Sequence, residues 1–113
     1  MKKTRIMYIE PKPDALGGPA RIGRVTFSRS GNVLSYRGRQ FQPFCGVGLK
    51  ANYCDRETRD AYWISGCKRR GDRLYSGTIE IDEDVREEYW TEIRKLPDRK
   101  NERVIHCVGK YAR

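Results

Sequence analysis

Apolar and polar residues alternate along much of the N-terminal part of the chain, which is the pattern of β strands with one buried face. Between residues 22 and 28, Val25 and Phe27 share one face and the polar residues between them share the other. The alternation returns in residues 33–41 after an Arg-Ser-Gly-Asn turn, whose Gly and Asn tolerate the left-handed backbone of tight turns. These features predict a β-hairpin over residues 22–41.

Several further short strands are expected around this hairpin. Segments rich in Gly and Pro at residues 10–19 and 42–48 separate them as loops. Within the hairpin, Gly38 stands where a β-bulge can change the face that side chains occupy. The other predicted strands are residues 5–9, 49–54, 62–64, 74–81 and 104–108.

The period of the apolar pattern changes after Ile81, from two residues to the spacing of a helix. Val85, Tyr89 and Ile93 recur every four residues, which places them in one stripe of an amphipathic helix. The pattern predicts a helix over residues 84–96.

Both ends of this helix carry matching signals. Asp84 followed by Glu87 indicates a capping box, with Asp82 as the alternative N-cap. Acidic residues crowd the first turns and basic residues the last, as the helix dipole favours. Pro97 is expected to end the helix. The stripe of Val85, Tyr89, Trp90 and Ile93 is expected to pack against Val25, Phe27, Tyr36 and Ile64.

The predicted elements form one small domain of the α+β class, mostly β. We expect a small antiparallel barrel or bent sheet of five to six strands with one C-terminal amphipathic helix. The 113 residues divide into a β body (5–81), the helix (84–96) and a charged tail (97–113). No apolar run reaches the roughly 18 residues of a membrane span, and the first residues lack the apolar core of a secretion signal. We therefore expect a cytoplasmic protein that does not contact a membrane.

The four cysteines do not indicate a metal site or a catalytic site. Their spacing lacks the C-x2-C pairs through which zinc sites present two thiolates. The single histidine, His106, is adjacent to Cys107, and adjacent residues of a strand point to opposite faces. The chain carries no phosphate loop, zinc protease motif or dinucleotide fingerprint. We therefore expect no metal, no cofactor and no catalytic residues, and reduced thiols at Cys45, Cys54, Cys67 and Cys107.

Charge is distributed unevenly along the chain. The protein carries 24 basic and 15 acidic side chains, a formal net charge of +9. Residues 1–77 sum to +10, residues 78–96 to −4 and residues 97–113 to +3. A basic sheet face is typical of nucleic-acid-binding proteins, because neutralising phosphates drives their affinity. The β body is therefore expected to contact nucleic acid or another anionic partner.

The candidate binding residues come from both halves of the β body. Arg24 and Arg37 flank apolar positions, so the alternation places them on the solvent-facing side. Aromatic side chains among basic ones can stack on nucleic-acid bases. The candidate set is Arg21, Arg24, Arg37, Arg39, Lys50, Tyr53, Trp63, Lys68, Arg69 and Arg70.

Three other interpretations are open from the sequence. One is a cysteine or metal enzyme, in which His106 would act with one of the three earlier cysteines, although the spacing selects none of them. An acidic helix and a basic body offer complementary faces to a protein partner, as in an interaction module or an accessory subunit without catalytic activity. Basic residues on a solvated face also keep a small protein dispersed, with no binding role.

Segments spread over residues 5–96 carry a resemblance to known sequences. These segments are residues 5–8, 18–25, 36–41, 50–53, 62–66 and 79–90. In them the chain resembles a family of small uncharacterised bacterial proteins, some of whose members are labelled 1-deoxyxylulose-5-phosphate synthase. The resemblance implies a bacterial β-rich domain with no known activity. Thiamine-dependent synthases are several times longer and hold their diphosphate through a metal-binding motif that this chain lacks, so the resemblance assigns no catalytic residue.

One turn departs from the pattern of that family. Where the family pattern ends in Thr-Gly, this chain has Thr58 followed by Arg59. A left-handed backbone is strained for arginine, so we expect the turn to differ here.

Overall fold

The centre of the computed structural model is a closed barrel of six antiparallel strands. The structure describes residues 3–11, 20–43, 51–69 and 77–107. Consecutive strands pair around the barrel, and β1 closes it by pairing with β2 on one side and with β6 on the other. The antiparallel barrel expected from the sequence is confirmed. Its strands are β1 (Thr4–Pro11), β2 (Ala20–Phe27), β3 (Leu34–Tyr36), β4 (Arg39–Pro43), β5 (Tyr53–Asp55) and β6 (Ala61–Gly66).

The interior of the barrel is filled by apolar side chains from every second residue of its strands. Val25 points inward with Phe27 packed beside it, which confirms the alternation predicted for β2. The rings of Phe41 and Tyr62 meet edge to face with their centroids 4.7 Å apart, a favourable arrangement for aromatic pairs. The other members of this cluster are Met7, Ile9, Leu34, Tyr36 and Ile64.

Two further strands extend the sheet beyond the barrel. β7 (Gly77–Ile81) pairs in parallel with the first half of β2, and β8 (Val104–Cys107) pairs antiparallel with β7. The second half of β2 pairs instead with β3. The end of β3 and the end of β7 therefore meet beside the middle of β2, next to Gly23.

The predicted hairpin over residues 22–41 contains an additional turn. The returning segment is divided into β3 and β4 by a turn at Arg37 and Gly38, which both have positive φ, 51° and 80°. The expectation of one strand with a bulge at Gly38 is therefore wrong. Two successive left-handed residues reverse a chain, whereas a bulge only bends it.

The predicted helix begins and ends earlier than expected. The cap helix, residues 83–93, consists of a 3-10 turn (Glu83–Val85), an α turn (Arg86–Glu88) and a π turn (Tyr89–Ile93). The predicted end before Pro97 is wrong, because Lys95 already has a left-handed φ of 56°.

The capping prediction is also wrong in its chemistry. Asp84 lies inside the first turn, and the residue at the N-cap position is Asp82. The side chain of Asp82 makes no capping hydrogen bond, since its carboxylate bonds to side chains of the barrel instead.

The cap helix packs on the outside of the barrel. Val85, Tyr89 and Trp90 are buried there against outward-facing residues, and Ile93 packs against the same cluster. The predicted contact of this stripe with Val25, Phe27, Tyr36 and Ile64 is wrong, because a closed barrel keeps those side chains inside. The outer layer beneath the helix is Ile6, Tyr8, Ala20, Ile22, Ile79 and Ile81.

We expect Gly23→Ala to destabilise the fold. An added Cβ would stand 2.4 Å from Cε1 of Tyr36 and 2.5 Å from Oδ2 of Asp82, so these groups must move apart. The expected loss in the free energy of unfolding is about 1–3 kcal/mol, the usual cost of overpacking. Urea denaturation measures it.

The matched control is Gly66→Ala, another strand position. Its added Cβ meets only the terminal nitrogen of the flexible Arg5 side chain, at 2.8 Å. The free energy of unfolding should change by about 0.5 kcal/mol or less. Equal losses in the two variants would contradict the close packing described for Gly23.

Candidate anion-binding surface

The end of β7 joins the barrel through the carboxylate of Asp82. The backbone amide of Asp82 donates to the carbonyl of Ile22 at 2.9 Å, which continues the pairing of β7 with β2. Its carboxylate accepts hydrogen bonds from the hydroxyl of Tyr36 at 2.5 Å, from Arg37 at 2.9 Å and from Arg21 at 3.3 Å. Two candidate arginines therefore converge on one buried acidic residue.

The protonation of Tyr36 reflects this arrangement. Burial raises the pKa of the Tyr36 hydroxyl, and its hydrogen bond to the negative carboxylate of Asp82 raises that pKa further. Tyr36 therefore stays a neutral donor at any physiological pH. The cluster forms a fixed joint between β3 and β7.

The other two candidate arginines of the first hairpin are also paired with acidic residues. Arg24 on the outside of β2 bonds to Glu88 of the cap helix at 2.9 Å. Arg39 in β4 bonds to Asp55 at the end of β5 at 2.8 Å. Like Arg21 and Arg37, these arginines are therefore engaged within the molecule.

Asp55 is an organising residue of the β5–β6 turn. Burial alone would raise the pKa of its carboxyl group, but hydrogen bonds from the amides of Glu57 and Thr58 and from Arg39 outweigh burial and hold that pKa below its ordinary value. The same turn contains Arg59 with a left-handed φ of 69°, and the Arg59 amide donates to the Asp55 carbonyl at 2.9 Å. The expectation that this turn avoids the left-handed position is wrong, because the bonds to Asp55 fix the turn.

A cleft beside this turn offers little to an anion. Its volume is ≈ 470 Å³, and its walls include Gly38, Gln40 and Arg56. Arg39 and Asp55 also line the cleft as an ion pair, so the charge of Arg39 is already neutralised there.

A second groove is lined by both basic and apolar residues. It has a volume of ≈ 340 Å³ and lies where β1, β2, the end of β6 and the cap helix meet. Its lining residues include the basic Arg5 and Arg24 and the apolar Ile6 and Ile93. Its remaining lining residues are Thr4, Cys67 and Glu88. Arg24 is paired with Ile6 on the outer face of the barrel, whereas the guanidinium group of Arg5 lies over Gly66.

Further basic residues adjoin this groove at the end of β6 and at the end of the cap helix. The register of β1 and β6 pairs Met7 with Gly66, so residues 67–69 continue past Arg5. The Nε of Arg94 donates to the carbonyl of Arg69 at 2.9 Å, which ties the end of the helix to the same segment. We call Arg5, Lys68, Arg69 and Lys95, all exposed, the basic rim.

Part of the basic rim is open to an external anion. Among the residues that the structure describes, Arg5, Arg69 and Lys95 take part in no ion pair, in contrast to the candidate arginines Arg21, Arg24, Arg37 and Arg39. The C-terminal end of a helix carries partial negative charge, which favours cations such as Lys95 beside it.

The two aromatic candidates lie away from this groove. Tyr53 is partly buried and packs against the barrel interior. Trp63 is 39% exposed on β6, and its cross-strand neighbour is Glu10 of β1. A carboxylate beside the indole disfavours a phosphate there. Lys50 and Arg70 lie outside the described residues.

Lys68 and Arg69 are among the binding residues predicted from the sequence, whereas Arg5 and Lys95 are not. Arg5 belongs to the first predicted strand, and Lys95 was interpreted only as a complement to the helix dipole. Only the register of β1 with β6, together with the docking of the helix, brings them to one place. A closed barrel requires β1 to pair with a strand that is distant in the sequence, but the sequence does not show the register of that pairing.

The cysteine chemistry and the membrane question can be described for part of the chain. Cys54 is a buried thiol and Cys67 a half-buried one. Cys45 lies outside the described residues, as does the side chain of Cys107. Within the described ranges, no three His, Cys, Asp or Glu side chains form a group that could hold a metal ion. No helix in those ranges has the length and apolar character needed to cross a bilayer.

Comparisons of the chain with protein-family models, with curated proteins and with solved structures find no match. We therefore infer a function from the geometry of the groove and its basic rim alone.

We expect Asp82→Asn to loosen the junction between β3 and β7. The substitution removes the charge that Arg21 and Arg37 share, and the hydrogen bonds of Asp82 to these charged donors lie in a buried site. The expected loss in the free energy of unfolding is about 1.5–3 kcal/mol. The control is Glu80→Gln, which removes the exposed 3.6 Å pair with Arg21 and should cost about 1 kcal/mol or less. Urea denaturation of both variants tests the junction, and similar losses would contradict it.

Asp55 should make stability depend on pH in the acidic range. Because its pKa is lower in the folded than in the unfolded state, its stabilisation is complete above the unfolded value of about 3.9 and is lost as pH falls through the folded value. Asp55→Asn should cost about 1.5–3 kcal/mol at pH 7. This deficit should shrink as the pH falls below the unfolded value. Urea denaturation across pH measures both, and a deficit independent of pH would contradict the stated role of the Asp55 charge.

Proposed function

We propose that the protein binds nucleic acid, with the groove and its basic rim as the contact surface. The observation that carries the proposal is that four exposed cations lie at or next to the groove along the chain. Arg5 is one of its lining residues, Lys68 and Arg69 follow the lining residue Cys67, and Lys95 follows the lining residue Ile93. Contacts of this kind are made to phosphates, so the binding we propose is largely independent of sequence.

The internal pairing of the first hairpin supports this location. Arg21, Arg37 and Arg39 bond to Asp82 and Asp55, two residues that are almost completely buried. A phosphate would have to separate each arginine from its carboxylate, which leaves the carboxylate buried and uncompensated. The basic rim has no such cost to overcome at Arg69 or Lys95.

The net charge of +9 supports an anionic partner in a second way. A strongly positive protein attracts a polyanion over distances of about a Debye length, roughly 8–10 Å at physiological salt. Such attraction raises the rate at which the two molecules meet, but it does not determine which residues contact the nucleic acid. The position of the contact is determined by the local arrangement of Arg5, Arg69 and Lys95, which take part in no ion pair among the described residues.

The test is a fluorescence anisotropy titration with labelled single-stranded DNA, double-stranded DNA and RNA of mixed sequence. Over a series of salt concentrations, the logarithm of the affinity should fall linearly with the logarithm of the salt concentration. Arg69→Glu should reduce the affinity about tenfold and lower the magnitude of the salt slope by about one.

Arg56→Glu is the matched control, because this arginine is exposed in the turn at the opposite end of β6. It should change the affinity about twofold at most, since it alters only the net charge. Equal losses in both variants would show attraction by net charge without a defined surface. No binding to any of the three nucleic acids at low salt would refute the proposal, and a co-purifying protein partner would then favour the interaction module.

A further inference from the structure

The groove inside the basic rim has the chemistry of a site for one nucleotide. The side chain of Arg24 lies on the outer face of the barrel with Ile6, and Ile93 lines the same groove from the cap helix. Its volume of ≈ 340 Å³ is at the lower end of the range of small-molecule sites. A nucleoside monophosphate offers two matching features, a doubly charged phosphate and a base whose flat aromatic face can lie against an apolar side chain.

Arg24 forms an ion pair that another anion can replace. Arg24 bonds to Glu88 at 2.9 Å, and the two side chains are 36% and 51% exposed. An exposed ion pair of this kind contributes little stability, so replacing Glu88 with another anion costs little. A phosphate binds a guanidinium through two parallel hydrogen bonds and carries more charge than a carboxylate.

We propose that the groove binds a nucleoside 5′-monophosphate, either free or as the 5′ end of a strand, with the phosphate taking the place of Glu88 on Arg24. This proposal rests on the function proposed above and specifies the ligand of the same surface. Glu88 is hydrogen-bonded to Arg24 and therefore competes with the ligand for this arginine.

The apolar residues explain why a nucleotide fits better than inorganic phosphate. Ile93 lies in the π turn of the cap helix and packs against the outer apolar cluster, so its position is fixed. Ile6 is buried in the same cluster. Because Ile6 is buried, the apolar surface that a base can cover belongs to the half-buried Ile93, and a phosphate ion leaves that surface in water.

Competition by Glu88 leads to a test on the intact chain with AMP as the probe. Calorimetry should show that AMP binds more tightly than adenosine or inorganic phosphate. Glu88→Gln should increase the affinity for AMP about fivefold, which is the size that an exposed ion pair allows. Glu87→Gln, an exposed neighbour outside the groove lining, is the control and should leave the affinity unchanged.

Two further variants locate the competition at Arg24. Arg24→Gln should reduce the affinity for AMP about tenfold. In that background Glu88→Gln should have much less effect, because the carboxylate no longer has an arginine to occupy. Bound AMP should also slow alkylation of Cys67, a residue of the groove lining, as measured on its peptide by mass spectrometry.

The outcomes separate this inference from the proposed function. If oligonucleotides bind with the expected salt slope but AMP does not, and Glu88→Gln changes nothing, the nucleotide site is refuted and the proposed function stands. If AMP binds and protects Cys67 while oligonucleotides do not bind, the site is a free-nucleotide site and the proposed function fails. Tighter binding of 5′-phosphorylated than of 5′-hydroxyl strands would identify the strand end as the source.

Discussion

The carboxylate of Asp82 is the interaction on which the arrangement of the molecule depends. It lies where β7 ends, at the junction with β3, and directly before the cap helix. An aspartate before a helix ordinarily caps the helix with its side chain. Here the carboxylate bonds to Tyr36, Arg37 and Arg21, so it ties the start of the helix to the barrel. Gly23 makes this approach possible, because any larger residue would occupy the space of the Tyr36–Asp82 contact.

The position of the groove follows from that junction. A helix that starts at Asp82 and packs its apolar stripe on the outer face of β1 and β2 must bring its later turns toward the beginning of β1. Glu88 then meets Arg24 on β2, and Ile93 meets the groove wall. Trp90 fixes the depth of the helix, with its indole bonded to the carbonyl of Glu102 at 2.9 Å.

The sequence predicted a barrel or bent sheet and the change from strand to helix after Ile81, because the period of the apolar pattern changes there from two residues to helical spacing. The final strand was indicated only by the short run of residues 104–108. The face on which the helix packs was missed, although a signal was present. Residues 6–9, Ile-Met-Tyr-Ile, are apolar without alternation, which is typical of a strand buried on both faces. That strand is β1, whose Ile6 and Tyr8 lie under the helix while Met7 and Ile9 fill the barrel.

Other features depended on contacts that no local pattern reveals. Left-handed arginines at positions 37 and 59 are not favoured by the residue type, and both occur in turns where an aspartate accepts hydrogen bonds. The pairing of each hairpin arginine depends on strands that are distant in sequence, since Arg24 and Glu88 are 64 residues apart. A list of basic residues therefore predicted the sign of the surface charge but not which cations are free to bind.

Several carboxylates of the acidic segment form ion pairs with arginines in the barrel and elsewhere in the chain. The acidic residues at 82, 83 and 88 pair with arginines of the barrel, of the helix and of the segment before β8. Much of the charge contrast between the two parts is therefore used to hold the molecule together. Among these pairs, Asp82 is buried and costly to separate, whereas Glu88 is exposed and lies at the groove. The difference in burial separates an acidic residue that fixes the fold from one that an incoming phosphate can displace.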